Sequence, residues 1–149
     1  MNRLHIHIAV EDLDQSVRFY TTLLGAKPNV TKGDYAKWLL DDPAVNLAIS
    51  VRPGMAAGVN HLGIQADNAE SLETITQRLK TAEEPTFDQE ATTCCYAVSD
   101  KSWVEDPSGV RWETFFTHGA SAVYGVDATL DLPADADPRP RPRSSTCCA

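Results

Sequence analysis

Apolar and polar residues alternate at the start of the chain and then change to a helical spacing. The stretch RLHIHIAV, residues 3–10, alternates and predicts a strand. In EDLDQSVRFYTTLLGAKP, apolar residues recur at helical spacing, Asp12 or Asp14 is available to cap the N-terminus, and Gly25 is available to cap the C-terminus. This segment therefore predicts a helix. Two further strands are predicted after it, at residues 34–40 and 45–51.

The same order of elements begins again in the second half of the chain. VNHLGIQA, residues 59–66, predicts a strand, and AESLETITQRLKTA, residues 69–82, predicts a helix with its apolar residues on one face. Three strands are predicted to follow, at residues 86–90, 95–105 and 110–116. The stretches DDPAVNLAIS and EDPSGVRWETF, near the ends of the two halves, also match each other locally. These features indicate an internal repeat.

The repeat predicts an α+β fold built from two βαβββ modules, at about residues 3–52 and 59–117. Each module would supply a curved sheet with its helix on the outer face, and the paired sheets would enclose a cleft. We therefore expect one domain over residues 1–117. Residues 118–149 contain much Pro, Asp, Ser and Arg but few large apolar residues, so we expect an extension and a mobile tail.

Composition narrows the classes of function. The 149 residues carry a net charge of −8, which argues against nucleic acid, because phosphates require clustered Lys and Arg. No apolar run approaches the roughly 20 residues of a membrane-spanning helix, and the N-terminus lacks the features of a signal peptide. We expect a cytoplasmic protein, monomeric or homodimeric, with reduced cysteines and with no nucleic-acid or membrane partner.

Residues suited to metal binding occupy corresponding strands of the repeat. His5 lies in the first strand of the first module, His61 in the first strand of the second, and Glu113 in the last strand of the second. Two imidazoles and a carboxylate form the facial triad typical of Fe(II) sites that react with O2. Ala48 aligns with Glu113 and cannot bind metal, so coordination positions stay open for O2 or substrate. A single strand histidine is more often a core or surface residue, so this interpretation depends on the symmetric placement of all three.

Other residues are candidates for lining the same cleft. His7 is two positions from His5 and shares its strand face, which leaves it open as an alternative ligand, as a group behind the ligands or as a pocket wall. Trp38 and Lys101 are further candidate pocket residues, although strand tryptophans commonly belong to the core. His118 follows the last predicted strand and is expected to be solvated.

All four cysteines occur in adjacent pairs, Cys94 with Cys95 and Cys147 with Cys148. Two neighbouring thiols chelate a soft centre such as trivalent arsenic, Cd²⁺, Hg²⁺, Cu(I) or Zn²⁺. Because neighbouring side chains of a strand point to opposite faces, Cys94 and Cys95 must lie in a turn to bind one atom. The alternatives are two buried apolar residues or a structural zinc site. The tail pair is a candidate shuttle that hands ligand to the first pair, or it has no role.

These residues and their spacing resemble a known superfamily. HIHIAVEDLDQSVRFYTTLLG is similar to the opening signature of the glyoxalase/extradiol dioxygenase superfamily, the vicinal oxygen chelate proteins. NHLGIQA and DPSGVRWETF are similar to its second histidine strand and its final glutamate strand. The resemblance covers roughly residues 3–117 and places His5, rather than His7, in the register of the metal ligand. TTCCYAVSDKSWVEDPSG further resembles the carbon–arsenic lyases and their sister family, the cadmium-induced proteins.

The resemblance implies a function and assigns it to residues. His5, His61 and Glu113 would hold Fe(II), with Ni, Co, Mn or Zn as other metals able to occupy the site, and O2 would be the co-substrate. Cys94 and Cys95 would bind a trivalent organoarsenical such as methylarsenite or a reduced aromatic arsenical. Activated O2 would then cleave the C–As bond and release arsenite.

Two other classes of function stay open. A non-catalytic resistance protein would hold Cd²⁺ or another heavy metal through the thiols and would need no O2. An ordinary extradiol dioxygenase or glyoxalase would use the metal without a thiol chelate, and a glyoxalase typically has a fourth protein ligand where this chain has Ala48. The cysteine motif alone does not separate the lyases from the cadmium-induced proteins.

Overall fold

The computed structural model describes residues 1–125, which form an α+β fold around one mixed sheet of eight strands. The elements of the first module are β1 (Arg3–Ala9), α1 (Leu13–Leu24), β2 (Val30–Lys32), β3 (Tyr35–Asp41) and β4 (Ala44–Ser50). Those of the second are β5 (Gly58–Gln65), α2 (Ala69–Thr81), β6 (Phe87–Cys94), β7 (Ala97–Glu105) and β8 (Arg111–Ala120). The predicted pair of βαβββ modules is confirmed, and β2 is the strand of the first module that the sequence pattern did not locate.

Capping residues set the limits of both helices. The Asp12 carboxylate accepts a hydrogen bond from the backbone N–H of Gln15 at 2.8 Å, so Asp12, rather than Asp14, caps α1. This helix ends at Gly25, whose φ of 64° lies in the left-handed region that favours glycine. Asn68 caps α2 in the same way as Asp12 caps α1. Neither of these two described helices is long and apolar enough to cross a membrane.

The strand order β2-β3-β4-β1-β5-β8-β7-β6 joins the two modules through the antiparallel pair β1 and β5 at the centre of the sheet. Within each module the first strand pairs in parallel with the last, β1 with β4 and β5 with β8. The sheet is curled. This is seen from Tyr35, near one edge, and Tyr96, beside the other edge, whose ring centroids lie 5.7 Å apart. Its concave face forms the cleft.

The convex face of the first module packs on α1 and forms a core. Ala36, Trp38, Leu47 and Ile49 are each 5% exposed or less and contact apolar residues of that helix. Trp38 also donates its indole N–H to the backbone oxygen of Ala26 at 3.0 Å. The assignment of Trp38 to the pocket is therefore wrong, because strand alternation turns its side chain towards the helix and away from the cleft.

Strand limits around the cysteines differ from the predicted ones. β6 continues to Cys94 instead of stopping at residue 90, and β7 begins at Ala97 instead of residue 95. Cys95 and Tyr96 form the turn between these strands, which explains both differences.

The last strand is longer than predicted. β8 runs to Ala120, so His118 lies within the strand, where it is exposed and places Nε2 2.7 Å from Asp100 Oδ2. The domain end at residue 117 stays a prediction. Residues up to Gly125 nevertheless return to the second module, because Gly125 forms an isolated β-bridge with Cys94.

Candidate active site

Three buried side chains meet in the cleft, each from a different strand near the middle of the sheet. His5 belongs to β1, His61 to β5 and Glu113 to β8, and each is 6% exposed or less. His5 Nε2 lies 3.3 Å from His61 Nε2. Glu113 Oε2 lies 3.6 Å from His5 Nε2 and 3.3 Å from His61 Nε2. The structure thus brings together the three predicted ligands, which are called the His–His–Glu triad below.

Hydrogen bonds fix which ring nitrogen of each histidine faces the triad. His5 Nδ1 lies 3.0 Å from the backbone oxygen of Asn46, which can only accept, so Nδ1 carries the proton. His61 Nδ1 lies 2.7 Å from the side-chain oxygen of Asn60 and carries a proton for the same reason. When each ring is neutral, as metal binding requires, its Nε2 therefore presents a lone pair to the other histidine and to Glu113.

This set of donor atoms fits a divalent cation. Two imidazole lone pairs and a carboxylate oxygen face one another with no proton between them, and a bound cation stabilises such an arrangement. Burial lowers the pKa of His5 to about 4, so its imidazole is neutral and able to bind metal at neutral pH. Within residues 1–125 no other group of three such ligands lies close together.

Lys101 orients the carboxylate of the triad. Its Nζ lies 2.5 Å from Glu113 Oε1, which leaves Oε2 turned towards the histidines. Burial alone would raise the pKa of Glu113, but the charge of Lys101 holds it well below its ordinary range. Burial alone would lower the pKa of Lys101, but Glu113, Cys94 and Cys95 raise it above its ordinary value. Lys101 thus carries a positive charge that contacts the carboxylate and acts electrostatically on both cysteines.

Aromatic rings surround the two histidines of the triad. His7 lies in the cleft, with its ring centroid 4.9 Å from that of His61. It is outside the triad, because its Nε2 lies 2.9 Å from the hydroxyl of Ser50 on β4. Trp103 meets His61 edge to face at 5.1 Å, and Phe115 meets His5 in the same way at 5.0 Å. Trp103 and Phe115 are wall residues of the cleft, and the sequence did not identify Phe115.

Cys94 and Cys95, called the thiol pair below, lie at the turn of the β6–β7 hairpin. Cys94 ends β6, and Cys95 and Tyr96 connect it to Ala97. Both connecting residues have positive φ, 56° for Cys95 and 60° for Tyr96, as a type I′ turn requires. Only Cys95 leaves strand geometry, whereas Cys94 is the last residue of β6, and this turn alone brings the two Sγ atoms to 3.2 Å from each other. At this spacing both sulfurs can bind one soft atom.

Contacts from distant parts of the chain hold this turn. A non-glycine residue at positive φ is strained by about 1–3 kcal/mol, so the surroundings must compensate. Tyr96 donates its hydroxyl to Asp34 Oδ1 at 2.7 Å, and Cys95 Sγ lies 3.3 Å from the hydroxyl of Tyr124. The rings of Tyr35, Tyr96 and Tyr124 contact one another, with centroids 5.5–6.0 Å apart. These three residues, the tyrosine cluster, cover the thiol pair.

Local interactions favour the thiolate form of Cys95. The hydrogen bond with Cys94 lowers the pKa of Cys95, burial raises it, and the charge of Lys101 lowers it further, with a net decrease. Cys147 and Cys148, the candidate shuttle, lie outside the described residues. Their role stays a prediction.

Known proteins share both the sequence pattern and the fold. Residues 3–114 match the family described as the Glyoxalase/Bleomycin resistance protein/Dioxygenase superfamily. A probable trivalent organoarsenical cleaving enzyme of Bacillus subtilis (strain 168) is 38% identical over 133 residues, which cover 87% of this chain and 89% of that protein. Cadmium-induced protein CadI of Mycobacterium tuberculosis (strain ATCC 25618 / H37Rv) is 31% identical over 148 residues, which cover 99% of this chain and 93% of CadI.

A solved structure with a similar fold is an extradiol ring-cleaving dioxygenase from B.fuscum, with a TM-score of 0.56 and 19% identity. The match covers 84% of this chain and 34% of the dioxygenase, and at this identity it establishes the fold alone. The superfamily match spans most of the chain, from the strand of the first histidine to the strand of the glutamate. This chain therefore belongs to the glyoxalase/bleomycin resistance protein/dioxygenase superfamily, as its sequence motifs predicted.

Proposed function

We propose that this chain is an Fe(II)- and O2-dependent carbon–arsenic lyase, which converts trivalent organoarsenicals such as methylarsenite and reduced aromatic arsenicals to arsenite. The observation that carries the proposal is the position of Lys101. It contacts Glu113 of the His–His–Glu triad, and its charge acts on both members of the thiol pair. Cys94 also packs against Ala48, whose strand partner His7 has its ring centroid 4.9 Å from that of His61, so the triad and the thiols share one cleft. Relatives named trivalent organoarsenical cleaving enzyme, at 39% and 30% identity, support the same substrate class.

The thiol pair would capture the substrate. The sulfurs of Cys94 and Cys95 displace both hydroxyls of R–As(OH)2, so two S–As bonds form, two As–O bonds break and two waters leave. The As–C bond is untouched in this step. The lowered pKa of Cys95 increases the fraction of its thiolate, which is the form that begins the exchange. Two bonds to sulfur then fix the arsenic in the cleft, which is a positioning effect.

The His–His–Glu triad would hold the metal through His5 Nε2, His61 Nε2 and Glu113 Oε2. Fe(II) bound there would supply the activation of O2 that cleavage of the C–As bond requires. Lys101 forms a salt bridge with Oε1 of Glu113, so only Oε2 of the carboxylate is available to the metal. The Nδ1 protons of both histidines are held by acceptors outside the triad, which keeps each Nε2 available.

The tyrosine cluster would limit the access of water to captured arsenic. Cys94 is 6% exposed and packs with Tyr35 and Tyr124. Arsenite that remains on the thiols would inhibit the enzyme, so the product must be able to leave. We expect the hydrogen bond between Tyr96 and Asp34, which fastens the turn to the first module, to open at that step.

Arsenic speciation tests the proposal. The full chain is loaded with Fe(II) in the presence of a thiol reductant and incubated with methylarsenite in air and under argon. We expect arsenite in air only, because O2 is the co-substrate. Cys94→Ser should keep its iron and form no arsenite. Unchanged methylarsenite in air, with iron bound to the unaltered chain, would refute the proposal.

A heavy-metal-binding resistance protein is the second candidate. The observation in its favour is the similarity to CadI over 99% of this chain, because that relative is named for induction by cadmium. A binder would retain methylarsenite intact in air and would hold Cd²⁺ through the thiol pair with or without O2. The same incubations in air and under argon therefore separate the two candidates, and loading with Ni, Co, Mn or Zn in place of iron identifies the active metal.

A further inference from the structure

Lys37 places a positive charge beside the thiol pair. It lies on β3 two residues from Tyr35, which packs against Cys94, and strand alternation gives both residues the same face. Its partner across the sheet is Ala48 of β4, which belongs to the same cluster around Cys94. The side chain of Lys37 is half-buried, and its charge interacts with Cys95. Lys37 therefore lines the surface against which the thiol pair packs.

The described residues give Lys37 no carboxylate partner. Lys80 and Lys101 are each paired with a carboxylate, whereas Lys37 forms no salt bridge within residues 1–125. Asp34, the acidic residue nearest to Lys37 along the chain, accepts a hydrogen bond from the Tyr96 hydroxyl. Burial lowers the pKa of Lys37, and the charge of Cys95 acts in the opposite direction. A partly desolvated ammonium is destabilising unless an anion faces it.

Capture of arsenic removes the anion that Lys37 faces. Before capture, Cys95 in its thiolate form supplies a negative charge, and the lowered pKa of Cys95 favours that form. The exchange R–As(OH)2 + Cys–S⁻ + Cys–SH + H⁺ → R–As(S–Cys)2 + 2 H2O, in which R is the organic group of the substrate, leaves both sulfurs neutral. The oxidation state of arsenic does not change. The ammonium of Lys37 then faces an uncharged thioarsenite. An anion carried by the organic group of the substrate would take the place of the thiolate.

We propose that Lys37 is a specificity-determining residue that favours trivalent organoarsenicals whose organic group carries an anionic substituent, such as a carboxylate. The proposal rests on capture by the thiol pair in the proposed function, and it is independent of the cleavage step. Methylarsenite has no anionic substituent, so Lys37 gives it no advantage.

Equilibrium binding to the full chain without added metal tests this proposal. Cys147→Ser and Cys148→Ser are present throughout, so that only the thiol pair binds arsenic. The probes are phenylarsenites with a carboxylate or its neutral match, a carboxamide, at the ortho, meta or para position. For at least one position we expect the carboxylate to bind about tenfold tighter than the carboxamide, because a charge-assisted hydrogen bond is stronger than a neutral one. Lys37→Met should abolish this ratio, and Lys37→Arg should keep it.

Lys32→Met is the matched control. Lys32 is an exposed lysine of β2 that lies 5.4 Å from the ring centroid of Tyr96, so its removal changes the net charge near the same turn. It should leave the preference for the carboxylate unchanged. Equal affinities for carboxylate and carboxamide in the unaltered chain, or equal losses for both in Lys37→Met, would overturn the role of Lys37 and leave capture intact. Failure of every probe to bind would overturn capture and the role of Lys37 together.

Discussion

The two modules share a fold but differ at the positions that matter for chemistry. In the first module, β1 pairs with β4 so that His7 lies opposite Ala48; in the second, β5 pairs with β8 so that Gly63 lies opposite Glu113. The neighbouring strands β3 and β7 follow the same register in each module. The resulting equivalent pairs are His5 and His61, Ala48 and Glu113, and Tyr35 and Lys101.

The two modules therefore form two kinds of site from one repeat. The second module keeps a carboxylate and a lysine, which complete the His–His–Glu triad and orient it. The first module has Ala48 and Tyr35 at the equivalent places, and the hairpin of the second module packs Cys94 onto these two residues. The position that cannot bind metal has become the surface under the thiol pair.

Glu113→Ala should have the largest effect, because it gives the second module the residue of the first. Loss of one of three ligands should weaken divalent-metal affinity by at least about 100-fold, more than the loss of a group that only orients a ligand. Competition against a metal-binding dye measures the affinity. Ala48→Gly, at the equivalent position, should leave metal affinity unchanged. A similar fall in both variants would mean that the two positions are not functionally different.

Cys95→Ser should impair the thiol pair and leave the His–His–Glu triad intact. A single remaining thiol forms one S–As bond instead of two, so we expect affinity for methylarsenite to fall at least about tenfold, while metal affinity stays the same. Both affinities are measured on one preparation that carries Cys147→Ser and Cys148→Ser. Loss of metal binding in this variant would show that the thiols contribute to the metal site.

Asn60→Ala should affect the histidine of the second module alone. The Asn60 side chain accepts the Nδ1 proton of His61, whereas His5 donates to a backbone oxygen of Asn46. We expect Asn60→Ala to weaken metal affinity by about 10- to 100-fold and Asn60→Asp to keep or increase it, because a carboxylate raises the basicity of the imidazole. Asn46→Ala retains its backbone oxygen and is the control. A loss of equal size in Asn60→Asp would contradict this role.

Gly63→Ala should destabilise the contact between β5 and β8. A Cβ at this position would lie 2.1 Å from the backbone oxygen of Glu113, so the strands must separate. We expect about 1–3 kcal/mol of lost stability in urea unfolding. A Cβ at Gly119, on β8, meets no atom within 4 Å, so Gly119→Ala should change stability by less than about 0.5 kcal/mol. Equal stability of the two variants would contradict the close approach.

The pH dependence of alkylation should show the smallest effect. Because the pKa of Cys95 is lowered, its rate with iodoacetamide should rise through a midpoint at lower pH than that of an ordinary thiol. Lys101→Met removes a positive charge and should move the midpoint to higher pH. Peptide mass spectrometry follows Cys95 separately from the other cysteines. A midpoint at or above that of glutathione would contradict the lowered pKa.

Local patterns predicted the described elements except β2 and placed the three triad residues on strands, while the choice of His5 over His7 came from the family resemblance. The periodicity of each module located the helices, and the repeat placed His5, His61 and Glu113 on strands that meet at the centre of the sheet. The requirement that Cys94 and Cys95 lie in a turn followed from side-chain alternation alone.

Residues that depend on the curl of the sheet could not be predicted in this way. Alternation shows that Trp38 faces one side of β3, but it does not say which side is concave. Tyr124 follows the last strand and reaches Cys95 only because the chain returns past the hairpin. Trp103 and Phe115 became wall residues through the same curvature, which long-range packing determines.

The central claim is that the triad and the thiol pair act on one molecule. Co(II) in the triad provides a direct test, because its visible absorption responds to changes around the metal. Methylarsenite is added under argon to the Co(II)-loaded chain, which carries Cys147→Ser and Cys148→Ser. We predict a saturable spectral change that reaches its limit at one arsenic per chain and is absent in Cys94→Ser. A chain that binds methylarsenite at the thiol pair and leaves the Co(II) spectrum unchanged would contradict the claim.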